Sequence, residues 1–450
     1  MLTRFARLEA WLAVVVVVVV VVVPSVPIQL IRHDHGSGER ATCSPREPFA
    51  PPVIATLRSS GLLALDKRRG LVIVVSSADG PRSTVLSVAT YDATTGKAVR
   101  SRQIVTAPMS RGASGQIVGD ETAVALDEAT RRVFVVHEPY GVRFYPRGRV
   151  DVLDEDSLAL LRAVPTGNFP RSPAVDERTA RVFVANQASG TMNILDARTG
   201  RLLRTVAVGR GPLGPSAAPV VDEAAGRVFF AAYGSRDNVV MLDAASGAVL
   251  RRVTVSALPE VIAVDRRIGR VIVAGAGSAS VLDARTGAVL STTALPGSPG
   301  KLLADESGHR AFISYSDNVN VSMLDTATGR IVRTTPVRLD HTLPGRLPAP
   351  DQAENETYPI LERVDERRRW VVVRVPPVVD DDGPEQGPSQ IAVLDSRTAT
   401  RIHTVFSEPT WPDAVAVDDR RGRAFSNVGD AIDVYDISCL TSYYIFGDMG

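Results

Sequence analysis

One phrase recurs eight times along this chain: an apolar stretch ending in Asp, a short polar turn, a run such as Arg-Val-Phe-Val, a gap, a second run ending in Asp, another turn, and a closing apolar stretch. Its clearest copy runs from Ala174-Val175-Asp176 through Arg181-Val182-Phe183-Val184-Ala185-Asn186 and Ile194-Leu195-Asp196 to Gly200 and Val206-Ala207-Val208-Gly209. A period of about forty residues carrying four short strands is the signature of sheets arranged radially as the blades of a β-propeller. The predicted fold is therefore all-β, with four-stranded antiparallel blades. Eight copies argue for eight blades, or for seven if the first or last copy is absorbed into ring closure.

A length of 450 residues would otherwise suggest about three domains. A propeller grows by adding blades around one axis, so a single closed domain can occupy residues 52–450. The formal net charge of +1 offers no electrostatic case for a nucleic-acid partner. Only Lys67, Lys97 and Lys301 are lysines among 51 basic residues. With the abundance of Ala, Val and Gly, this bias is that of GC-rich coding and points to a bacterial source.

Residues 1–31 read as a membrane segment. Arg4 and Arg7 precede an apolar run, Ala10 to Val23, in which Val14 to Val23 are consecutive valines. Ten valines near the centre of a span favour insertion by roughly 3–6 kcal/mol. The arginines are expected to stay cytoplasmic and the propeller to be exported. The run suits a signal-peptide core, yet no Ala-x-Ala site follows it, which favours an uncleaved anchor over a cleaved signal. Residues 32–51 are then a linker. His33 and His35 within it read as solvated side chains.

Within each repeat, strands a to d are bounded by recurring aspartates. The a strands end at Asp66, Asp127, Asp176, Asp222, Asp265, Asp305, Asp365 and Asp418, and the c strands at Asp92, Asp154, Asp196, Asp243, Asp283, Asp325, Asp395 and Asp436. An Asp opening a tight turn accepts turn amides, and a Gly such as Gly200 supplies a positive φ. These carboxylates are therefore expected to be structural. Two segments compete for the outer strand of the last blade: residues 52–57, before the first a strand, and residues 442–446. In the first case Cys43 and Cys439 fall at the same end of that blade, where a disulfide would staple the ring in an oxidising compartment; the alternative is two unpaired thiols.

In an up-and-down blade the a-to-b and c-to-d turns share one face, and the b-to-c and d-to-a connections share the other. The first set is short and uniform. Length variation collects in the second, at residues 106–122, 137–149, 209–216, 338–360 and 375–389. Variable connections on a rigid scaffold are where binding sites are built. His137, Glu138, Tyr140, Arg143, Tyr145 and Arg147 form the densest mix of aromatic and ionisable side chains there. Asp340 and His341 stand in a Pro-rich insertion, and Asp380, Asp381 and Asp382 offer hard oxygen donors suited to a divalent cation. No other cofactor is expected.

Familiar catalytic motifs are missing. Gly112-Ala113-Ser114-Gly115 is not a nucleophile elbow, and His137-Glu138 has no second His four residues after the first. Residues 209–214 match Gly-x-Gly-x-x-Gly, but the repeat places a loop where a dinucleotide site needs a helix. A site assembled from single residues on several blades stays open.

The stretch Phe183-Val184-Ala185-Asn186, Ser189-Gly190-Thr191, Ile194-Leu195-Asp196 and Val206-Ala207-Val208-Gly209 resembles the YVTN family of propeller repeats, found in surface-layer-type and lactonase-like proteins. The name-giving tetrad is here Phe-Val-Ala-Asn. The resemblance is most faithful between residues 170 and 335 and implies a propeller more than an activity. The chain departs from WD40 repeats, having no Trp-Asp pair, and from quinone-dependent dehydrogenases, lacking their tryptophans. The expectation is an exported, membrane-tethered, monomeric propeller that binds a protein or small-molecule ligand through its long-connection face. The alternative is a lactonase-like hydrolase with its site at the channel mouth.

Overall fold

Alternation of buried side chains explains why the repeats must stack. In the b strand Arg181–Asn186, Val182 and Val184 face the preceding blade, packing with Phe134, Val136 and Val150. Phe183 and Ala185 face the following blade, packing with Val228, Phe230 and Val240. A strand buried on both faces reads as a continuous apolar run, and each fully buried Phe or Val contributes roughly 1.5–3 kcal/mol. Outer strands behave differently: Leu202–Ala207 is almost wholly exposed or half-buried.

The computed structural model describes residues 53–57, 61–79, 84–106, 120–139, 147–209, 218–232, 238–255, 258–338, 358–376, 390–406, 415–418, 420–428 and 431–436. Within them the chain forms eight four-stranded sheets, all with antiparallel neighbours. Blade 1 comprises Leu62–Asp66, Leu71–Asp79, Thr84–Asp92 and Ala98–Thr106, from inner to outer strand. Blades 2 to 7 follow in chain order, and neighbouring inner strands touch all the way round, blade 8 against blade 1 included. All sixteen aspartates end their strands as expected.

Ring closure is settled by register. The outer strand of blade 8 is Val53–Leu57, paired antiparallel with Ala431–Asp436 so that Val53 meets Tyr435 and Leu57 meets Ile432. The first and last described strands therefore build one sheet. Residues 442–446, the competing segment, lie outside the described residues, as do Cys43, Cys439, the linker and residues 1–31. Among the described residues no helix is long and apolar enough to cross a membrane.

The c-strand aspartates act as predicted. Asp196 Oδ1 accepts the backbone N–H and hydroxyl of Thr199, at 2.9 and 2.8 Å, while Arg181 Nη1 reaches Oδ2 at 3.2 Å. Gly200 follows at φ +66°, where an added Cβ would also press on Val152 at 3.0 Å.

The a-strand aspartates reveal a second pattern. Except in Asp265, one oxygen takes the turn amide three residues on, as Thr179 donates to Asp176 at 3.0 Å. In two blades the other oxygen meets the residue following the c-strand Asp of the next blade, Glu155 beside Asp66 and Thr326 beside Asp265, whereas Ser396 and Asp305 Oδ2 make no such hydrogen bond. In blade 6 that residue is Thr326, whose hydroxyl donates to Asp265 Oδ2 at 2.7 Å. In blades 3, 4 and 5 it is Ala197, Ala244 or Ala284, and Oδ2 of Asp127, Asp176 and Asp222 is buried with no donor. In blades 7 and 8 Arg368 and Arg421 of the same blade serve Asp365 and Asp418 instead. Thr326→Val should accordingly lower stability by about 1–3 kcal/mol, whereas Ala244→Thr, which supplies the missing hydroxyl, should raise it by about 1 kcal/mol, both read from urea denaturation midpoints.

Candidate functional site

Strand direction places the long connections on the face opposite the turns just described. Most of the side chains proposed for that face, Tyr140, Arg143, Tyr145, Asp340, His341 and the run Asp380, Asp381 and Asp382, lie outside the described residues. His137 and Glu138 end the b strand Arg132–Pro139 of blade 2, and Arg147 begins its c strand, Arg147–Asp154, with an exposed side chain.

His137 is fully buried and does not stand in a solvated rim. Its backbone pairs with Arg149 across the two strands. Residues two apart on a strand share a face, so Asp151 joins the same side. His137 Nε2 lies 3.0 Å from Asp151 Oδ2, and Arg149 grips the same carboxylate with Nε 2.9 Å from Oδ1 and Nη2 3.1 Å from Oδ2. This face of blade 2 packs on blade 1 through Val133, Val135, Ile73 and Val75. The cluster is thus a charged plug in the seam between two blades. A forked guanidinium on a buried carboxylate fixes geometry well, but a general base must reach the substrate it serves, and this one is sealed.

The starts of three inner strands hold a second arrangement, in which Lys301 is partly exposed and Glu362 and Arg374 are nearly buried. The inner strands of blades 5, 6 and 7, Pro259–Asp265, Pro299–Asp305 and Ile360–Asp365, each carry a β-bulge in their first half, at Glu260, Gly300 and Glu362. A bulge re-aims a side chain. Glu362 Oε1 takes Arg374 Nε at 2.8 Å while its Oε2 lies 3.5 Å from Lys301 Nζ, tying blade 6 to blade 7. Burial, and then the charge of Asp317, push Glu260 above the ordinary glutamate value. One blade removed from His137, Arg171 is nine-tenths buried, stacks 4.1 Å over Phe169 and donates to Gln187 at 2.8 Å. Among the described residues no group of three or more His, Cys, Asp or Glu is placed to hold a metal ion.

On the short-turn face Glu155 breaks the repeat. It occupies the position of Thr326, with its side chain wholly buried against Asp66 of blade 1 and 3.3 Å from Arg69 Nη1. Its two oxygens and Asp66 Oδ2 are buried without a well-formed hydrogen bond, Arg69 standing off Oε2 at 3.3 Å. Burial first, and then Asp66, push Glu155 up to about 7 against the pull of Arg69. A protonated Glu155 would donate to Asp66 as Thr326 does to Asp265.

No family model matches the chain, and no curated protein sequence does either. Solved structures do match. BamB from Moraxella catarrhalis superposes with a TM-score of 0.55 at 15% identity, covering 86% of this chain and 100% of its own. The dihydro-heme d1 dehydrogenase NirN, in complex with DHE, gives 0.57 at 16% identity over 84% of this chain and 73% of its own. The computationally designed Ika8 protein gives 0.51 at 16% identity, covering 83% and 98%. The fold is a β-propeller. Likeness at this identity carries the fold alone, and the YVTN resemblance rests on the repeat residues themselves.

Two measurements follow from these geometries. Arg149→Met leaves Asp151 buried with only His137 beside it and should cost about 3–5 kcal/mol of stability in urea melts. The second concerns pH. Hydrogen bonds from Ser246, with Arg227 nearby, hold Asp243 below the ordinary carboxylate range. In Asp92, Asp154, Asp196, Asp283 and Asp325 burial pushes upward but is outweighed by the Thr or Ser three residues on, so these too are lowered. Lowered groups contribute stability above the unfolded carboxylate range and lose it as pH falls through their folded values. The raised Glu155 does the reverse, stabilising fully below its unfolded value and losing that contribution as pH rises toward about 7. Urea midpoints should peak between about pH 4.5 and 6, and Glu155→Gln, which keeps a donor, should flatten the decline above the peak.

Proposed function

We propose that this chain is an extracytoplasmic β-propeller, held at a membrane by residues 1–31, that binds a protein or small-molecule ligand on its long-connection face. The supporting observation is the run of three bulged inner strands in blades 5 to 7, which brings Lys301, Glu362 and Arg374 together and re-aims Glu260 on the neighbouring blade. Identical repeats do not need bulges on three consecutive strands, and such irregularities cluster where a side chain must be aimed. Glu138 and Arg147 end and begin their strands on the same face, and the proposed surface includes Tyr140, Arg143, Tyr145, Asp340 and His341. A divalent cation at Asp380, Asp381 and Asp382 would belong there too. The histidine and carboxylate that meet on this side, His137 and Asp151, are sealed between blades, which favours binding over hydrolysis. One chain closes the ring, so a monomer suffices.

Placing a photo-crosslinking phenylalanine analogue at Tyr358, an exposed side chain just before the inner strand of blade 7, should trap a partner or ligand in intact cells. The same group at Ala245, in a short turn, should trap no protein. Lys301→Glu should reduce the Tyr358 adduct at least about tenfold, equivalent to about 1.4 kcal/mol of binding. Equal adducts from both positions would refute the assignment of the face.

A further inference from the structure

The chain enters the propeller at one particular face. Val53 pairs with Tyr435, next to Asp436 at the end of a c strand, and c strands end at the short turns. Residues 32–51 therefore reach the domain from the short-turn side. A linker of about twenty residues spans roughly 25 Å as a flexible coil and at most about 70 Å fully extended. A membrane anchor at residues 1–31 holds this face nearest the bilayer.

Charge on that face is sorted by exposure. In the a-to-b turns, among the described residues, every exposed charged side chain is an arginine, including Arg68, Arg131, Arg178, Arg267, Arg367 and Arg420, of which Arg68, Arg131 and Arg267 also lie within ion-pair reach of Glu128 and Glu177, Asp156 and Glu366. The c-to-d turns add exposed Lys97, Arg198, Arg201, Arg285, Arg330 and Arg397, against one exposed acid among the described residues, Asp156, which is ion-paired to Arg69 and Arg131. The glutamates of these turns are drawn inward. Glu128 accepts the backbone N–H of Lys67 at 3.2 Å, Glu177 that of Glu128 at 3.1 Å, Glu223 that of Glu177 at 3.0 Å and Glu366 that of Glu306 at 3.0 Å, each bond joining two blades. Exposed apolar side chains begin the outer strands just behind the turns, at Leu161, Leu203, Leu250, Leu290 and Val332.

We propose that the short-turn face is the membrane-facing surface of this propeller, its arginines taking anionic lipid headgroups, so that the long-connection face points away from the bilayer. The proposal rests on the membrane anchor of the proposed function and adds the surface and the lipid chemistry. Attraction of basic side chains to an anionic leaflet accumulates residue by residue and fades within a Debye length of about 8–10 Å. Only a face held close by its tether gains from it.

The test uses the full chain in lipid vesicles, with Cys43→Ser and Cys439→Ser and one new cysteine carrying a donor dye. Ala224→Cys marks a short turn, and Ser316→Cys marks the b-to-c turn of blade 6. With acceptor-labelled headgroups in vesicles of about 30% phosphatidylglycerol in phosphatidylcholine, the donor at 224 should be quenched at least about twofold more than that at 316. The gap should narrow to what the tether alone gives in pure phosphatidylcholine, at about 0.5 M salt, and in a variant combining Arg178→Glu, Arg198→Glu, Arg267→Glu and Arg285→Glu whose circular dichroism is unchanged. Equal quenching at both positions, or more at 316, overturns the proposal. So does heparin binding with the same arginine dependence when vesicles leave the donor at 224 unquenched. Flotation with pure phosphatidylcholine vesicles at high salt reads the anchor separately: a chain that stays behind removes the anchor, while quenching at 224 in anionic vesicles still reports the face.

Discussion

Burial of the b and c strands on both faces is the constraint from which the rest follows. Val182 and Val184 need blade 2, and Phe183 and Ala185 need blade 4, so no blade is complete by itself. An open row of such sheets would leave two apolar faces in water, one at each end. Closure removes both: Val72, Val74 and Tyr91 of blade 1 meet Phe425, Ile432 and Val434 of blade 8. Pairing Val53–Leu57 with Ala431–Asp436 then links strands from opposite ends of the ring in one sheet, a contact of very great sequence separation and hence one expected to form late in folding.

Features set by local chemistry are legible in the sequence alone. An Asp beside a tight turn does the same work wherever the turn occurs, so the sixteen strand ends can be read one by one. Closure cannot, because residues 52–57 and 442–446 have similar apolar patterns and the choice lies in register with a distant strand. His137 shows the same limit in another form. Its sequence neighbours, Glu138 and Tyr140, make it look like part of a rim, but its neighbours in space are Arg149 and Asp151, and that pairing depends on how many residues the connection between the strands takes up. For Glu155 a signal exists. Its repeat equivalents are Ala93, Ala197, Ala244, Ala284, Thr326, Ser396 and Ile437, an uncharged column in which one carboxylate stands out. Comparing columns of the repeat, instead of scanning for motifs, reveals it.

The two faces diverge because they answer different demands. The short turns bind blade to blade, through glutamates that reach the neighbouring turn amide and through aspartates that face the next c-to-d turn. At these turns a change of length breaks an interblade hydrogen bond. Among the described residues the connections on the other face carry no such link in every repeat, and the inner strands beneath them bulge without disturbing the ring. Irregularity collects on the face that can absorb it, and the surface available for recognition is there for the same reason.

A formal net charge of +1 says little about a molecule built this way. Tight turns expose backbone N–H groups that need acceptors, and carboxylates supply them, which draws Asp and Glu into the seams between blades. The arginines that balance those charges have long stems and many donors. Some pair within a blade, as Arg181 does with Asp196 and Arg227 with Asp243, and others at the turn tips pair while staying partly exposed, as Arg68 does with Glu128 and Glu177. Near-neutral composition and a basic outer face are therefore two consequences of one requirement, that the turn amides be satisfied. The charge a partner meets is set by which side chains the turns leave outside, a distribution that composition averages away.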